Sequence, residues 1–86
     1  MNVPTIEAMR AALTLHLAPS ELVIEDDSAA HAGHAGAREG GHYTVRIASP
    51  RFAGLSPIAR HRLVYSALSG LMGRGIHALS IDARLS

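Results

Sequence analysis

Apolar positions recur along this chain in short blocks of definite period, and proline or glycine separates one block from the next. From Pro4 to Leu17, Ile6, Met9, Leu13 and Leu17 fall at helical spacing, with Pro4 suited to a first helical position. Pro19-Ser20 stops that helix. Glu21 to Glu25 is short, β-branched and partly alternating, which predicts a strand that weakens through Asp26, Asp27 and Ser28. Ala29 to Gly41 is small, glycine-rich and without period, so a surface loop is expected. From His42 to Ala48 the alternation is clean. Tyr43, Val45 and Ile47 share one face and His42, Thr44 and Arg46 the other, as in a half-buried strand pairing with the first as a hairpin.

Two Ser-Pro pairs follow, Ser49-Pro50 and Ser56-Pro57, each setting a capping hydroxyl before a proline. The first has room for about one turn before Gly54; the second opens the main helix, expected to run to Met72. At 100° per residue, Val64, Ala67, Leu68, Leu71 and Met72 form its apolar stripe. Arg60 and His61 stand at the stripe's edges, and Arg62 points away with Ser66 and Ser69. Gly73 and Gly75 end the helix. Ile76 to Leu85 then alternates as a third strand, with His77, Leu79, Ile81, Ala83 and Leu85 on the apolar parity. The order α-β-β-α-α-β predicts an α+β fold, a three-stranded mixed sheet with helices on one face.

Composition narrows the chemistry. With 86 residues and 48% hydrophobic positions the chain forms one domain, residues 1–86, and its 3% aromatic content makes the core aliphatic. It has no cysteine, so disulfides and thiolate ligands are excluded, and metal would be held by histidine, carboxylate or backbone. A formal charge of +1, all its cations arginine, is far below the field expected of a non-specific nucleic-acid binder. Six histidines let the charge rise as pH falls through about 6.5. There is no bilayer-length apolar run and no secretory pattern at the N-terminus, so a cytoplasmic domain is expected. Nothing resembles a nucleophile with a base and an orienting group, which argues against an enzyme.

Several phrases resemble the BolA family: ELVIEDDS, then HYTVRIASPRFAGLSPIARHRLVYSAL, and GIHALSIDA near the end. The RHR-x-V-Y block and the His-Ala-Leu triplet at His77 carry it most specifically. The resemblance implies a fold related to the type II KH domain. It also implies partnership with a monothiol glutaredoxin, as a heterodimer of two otherwise separate chains, in binding or transferring a [2Fe–2S] cluster. The family's metal-ligating histidines fall on His77, on His31 in the loop, and on His42 before the strand's tyrosine. An extra His34 in that loop leaves the second ligand open. Some family members are DNA-binding regulators, for which Arg60 and Arg62 are the candidates. Each feature has a plainer reading. A histidine on an apolar parity is commonly a hydrogen-bonded core residue, an H-x-x-H pair in a loop commonly binds nothing, and Arg60 commonly lies over the core edge. Gly70-Leu71-Met72-Gly73 matches the GXXG of KH domains but follows a helix and reads as its cap. A cysteine-free chain needs a partner's thiolates to hold an iron–sulfur cluster.

Overall fold

The computed structural model describes residues 3–27 and 41–85. Helix α1 spans Val3–Leu17, strand β1 Glu21–Asp26, strand β2 Gly41–Ser49, helix α2 Pro57–Ala67 and strand β3 Ile76–Leu85, with a 3-10 turn at Pro50–Phe52 between β2 and α2. The expected order is present, its fourth element being that single turn. His31 and His34, with the rest of residues 28–40, lie outside the described residues.

The sheet order is β1-β2-β3. β1 is antiparallel to β2, from Glu21 opposite Ala48 to Asp26 opposite Tyr43. β3 is parallel to β2, from Gly41 opposite Ile76 to Ser49 opposite Leu85, because α2 carries the chain back to the sheet's starting end. Both helices contribute to one apolar layer. Met9, Leu13 and Leu17 of α1 and Val64 and Leu68 of α2 meet Tyr43, Val45 and Ile47 of β2, together with Phe52 and Ile76. None is more than 2% exposed, so each side chain contributes about 1.5–3 kcal/mol through burial.

Side chains close the joints between these elements. Ser49, wholly buried, donates its hydroxyl to the Leu17 carbonyl at the end of α1 and accepts the Arg51 N–H at 3.1 Å. One residue thus caps the 3-10 turn and satisfies an orphan carbonyl of α1. Ser56 caps α2 in the expected way, accepting the Ala59 N–H at 3.2 Å.

Two expectations change. α2 ends at Ala67 rather than Met72. Ser69 and Gly70 propagate a helix poorly, and Leu68 turns its N–H back on the preceding carbonyls. Leu71 and Met72 still pack on the core, from the turn that follows. His77 is not on the apolar face of β3. A register shift between Gly41 and His42 gives the core position to Ile76, 0% exposed, and turns His77 outward. Leu79, Ile81 and Ala83 keep the apolar parity beyond it.

Candidate metal-ligating site

β2 alternates from its first residue. Tyr43, Val45 and Ile47 enter the core, so His42 stands with Thr44 and Arg46 on the sheet face opposite the helices. The extra residue in β3 places His77 beside it. The two imidazole centroids are 5.2 Å apart, their planes tilted by 47°. His42 is half-buried and His77 exposed, so the pair has a supported inner member and an open outer one.

The surroundings hold this end of the sheet firmly. The Asp27 N–H donates to the His42 carbonyl at 2.7 Å, and the Thr44 hydroxyl donates to the Asp27 carboxylate. The Gly41 N–H donates to the Gly75 carbonyl at 2.9 Å. Tyr43, 1% exposed, lies beneath Gly41 with its phenol oxygen lacking a hydrogen bond of good geometry. Burial pushes that phenol above its ordinary value and Asp26 adds to the effect, while the neighbouring Thr5 hydroxyl offsets it in part. Further along the same sheet face, charges pair among themselves. Arg46 meets Glu25 at 3.1 Å and Arg84 meets Asp82 at 2.8 Å. The Arg84 hydrogen bond holds the Asp82 carboxyl below its usual range.

Two imidazoles on one tetrahedral ion, with metal–nitrogen bonds of about 2.0–2.1 Å, have ring centroids about 5 Å apart. The 5.2 Å between His42 and His77 therefore suits a single metal ion. Among the described residues no group of three or more His, Cys, Asp or Glu side chains converges, so the pair alone does not complete a four-ligand set. Of the histidines singled out from sequence, His77 and His42 are brought together.

The two arginines considered for nucleic acid part company. Arg60 is half-buried, donating its Nε to the Leu55 carbonyl at 3.1 Å and its Nη1 to the Ala83 carbonyl at 3.5 Å. Arg62 is exposed. Sequence reasoning missed the rung between Gly41 and Gly75 beside the pair. Its only signal was a glycine directly before His42 and another two residues before His77.

The family described as BolA-like protein matches residues 13–85. This chain belongs to the BolA-like family. The chloroplastic BOLA1 of Arabidopsis thaliana is 48% identical over 80 residues, covering 88% of this chain and 50% of that protein. BolA-like protein 1 of Mus musculus is 42% identical over 81 residues, covering 94% of this chain and 58% of the relative. This chain thus spans about half the length of the curated relatives it matches. Among solved structures, the BolA domain of SufE1 from Arabidopsis thaliana superposes with a TM-score of 0.82 at 41% identity, over 99% of this chain and 94% of that one. Among the described residues no helix is long and apolar enough to cross a membrane.

Proposed function

We propose that this BolA-like domain is an iron–sulfur adaptor, which docks on a monothiol glutaredoxin and lends His77 and His42 to a shared [2Fe–2S] cluster. The observation that carries the reading is the 5.2 Å pairing of an exposed and a half-buried imidazole in a chain without cysteine. Imidazole suits iron, and histidine in place of thiolate on one iron raises the cluster's reduction potential. The thiolates belong to the partner in this reading. Neutral imidazoles are the ligating form, so release is favoured as they protonate. The chain's own contribution is to hold His42 against the sheet and to present His77 at the surface. The occurrence of a BolA domain within SufE1 supports a function exercised beside another protein module.

The test is a titration of the apo-protein with cluster-loaded monothiol glutaredoxin, followed by visible absorption and circular dichroism. The His77→Ala and His42→Ala variants are expected to give final spectra different from the unmutated chain. An unchanged spectrum with His77→Ala removes the ligand assignment. His31→Ala and His34→Ala in the same series decide whether the loop contributes a ligand in place of His42. The DNA-binding reading is the weaker one, because Arg60 is engaged by backbone carbonyls and Arg62 alone of the two is exposed. Titrating a duplex at near-physiological salt, with Arg62→Ala beside the parent, separates the two.

A further inference from the structure

We propose that Gly75, seated against Thr5 of α1, is the positioning residue that brings His77 alongside His42. The inference borrows its purpose from the adaptor reading, but its geometry stands apart from any cluster. Regular alternation traced back from Leu79 would send His77 toward the helices. Instead Ile76 fills that place opposite Gly41 and His77 is the surplus residue of a bulge. Bulges re-aim a side chain in this way, and something must fix their phase.

Here the phase is fixed just before the strand. The Gly75 carbonyl accepts the Gly41 N–H at 2.9 Å, forming the first rung one residue ahead of Ile76. The preceding turn is closed on itself. Gly73 N–H donates to the Ile76 carbonyl at 2.9 Å, and Ile76 N–H donates to the Leu71 carbonyl at 3.2 Å. Gly75 completes that turn at φ +146°, a conformation essentially confined to glycine. A methyl group there would also stand 3.0 Å from Thr5 Oγ1 and 3.2 Å from its Cγ2. An L side chain at position 75 is therefore strained by the backbone conformation and crowded by Thr5, which would have to give way by a few tenths of an ångström. To accept one the peptide must rotate, the rung to Gly41 is lost, and the phase that turns His77 outward goes with it.

The experiment is nuclear magnetic resonance on the full chain, reading the cross-relaxation between ring protons of His42 and His77. In the unmutated protein this cross-peak is expected. Gly75→Ala is expected to abolish it while the methyl resonances of Leu13 and Leu17, distant in the core, keep their dispersion. Thr5→Ile presses on the same peptide from the helix side without demanding a new backbone conformation, and is expected to weaken the cross-peak. A folded Gly75→Ala variant with the cross-peak intact overturns the proposal. If Gly75→Ala fails to fold, Thr5→Ile decides: a weakened cross-peak supports the proposal and an unchanged one overturns it. The same samples titrated with cluster-loaded glutaredoxin keep the two ideas separable. A lost cross-peak with an unaltered cluster spectrum leaves the positioning role in place and removes the ligand role of the pair.

Discussion

Gly41 is the most crowded of the described glycines, and replacing it with alanine tests how the site end of the sheet is packed. A Cβ on Gly41 would lie 2.4 Å from Cε2 of Tyr43, 2.5 Å from its hydroxyl oxygen and 2.6 Å from Cζ. Unstrained contacts between carbon atoms are about 3.5–4.0 Å, so the ring would have to move by more than about 1 Å. It has little room, because Tyr43 is 1% exposed and packed among Val45, Ile76 and the α1 side chains. Overpacking of this kind costs about 1–3 kcal/mol, and the rigid ring argues for the upper half of that range. For a domain of this size that lowers the melting temperature by roughly 8–24 °C. Urea unfolding followed by circular dichroism measures it, in a double-mutant cycle with Tyr43→Leu. Removing the ring has its own cost, which the cycle subtracts. Gly41→Ala should be far less harmful once the ring is gone, giving a coupling of about 1–3 kcal/mol. A coupling below about 0.5 kcal/mol, with Gly41→Ala equally damaging in both backgrounds, refutes the steric account.

Burial should separate two serines that perform the same capping chemistry. Ser49→Ala strands the buried Leu17 carbonyl and the partly buried Arg51 N–H and should lose about 2–3 kcal/mol, whereas Ser56→Ala, at an exposed cap, should lose about 0.5–1 kcal/mol; equal losses in urea titrations would contradict this. Ala18 holds a left-handed φ of +42° just after α1, so Ala18→Gly should raise the unfolding free energy by roughly 0.5–1 kcal/mol, a sign that thermal melts check directly. Tyr43 has its phenol pushed up by burial, so above pH about 10 the folded chain keeps a proton that the unfolded chain has released. Its contribution to stability is complete below that pH and declines as pH rises toward the folded value, and Tyr43→Phe should flatten the alkaline fall in the denaturation midpoint.

The elements were legible because two periods dominate the chain. The stripe Ile6, Met9, Leu13 and Leu17 and the alternation of Tyr43, Val45 and Ile47 each depend on one secondary-structure repeat, and each is where it was expected. The end of α2 was harder. Leu71 and Met72 continue the helical period and do reach the core, but from a turn, so burial alone did not reveal that the helix had stopped. The candidate site was legible in its residue types and not in its geometry. His77 lies on the apolar parity of its strand, and only a register shift sets it outside. That shift depends on a backbone angle at Gly75 and on contact with Thr5, far away in sequence, neither of which leaves a periodic trace. The pairing of His42 with His77 has the same origin, since it arises from the parallel alignment of strands joined through α2.

The arginine and tyrosine of the RHR-x-V-Y block then acquire a mechanical meaning. Arg60 reaches the Ala83 carbonyl and the Tyr65 hydroxyl reaches the Leu79 carbonyl at 3.3 Å, so α2 holds β3 at two points. Both acceptors belong to an edge strand, whose outward carbonyls would otherwise face solvent or another strand. Leu79 stands two residues after His77, and its clasp by Tyr65 fixes the strand on the far side of the bulge from Gly75. His77 is thus anchored on both sides, by the closed turn before it and by the helix after it, while its own ring remains exposed. That division suits a residue meant to meet something outside the chain. The proposed adaptor role asks for a backbone held firmly under an exposed ring, and at His77 the helix α2 would supply the first and the register shift the second. The block that first suggests a basic nucleic-acid surface is better explained as a frame for the strand that carries His77.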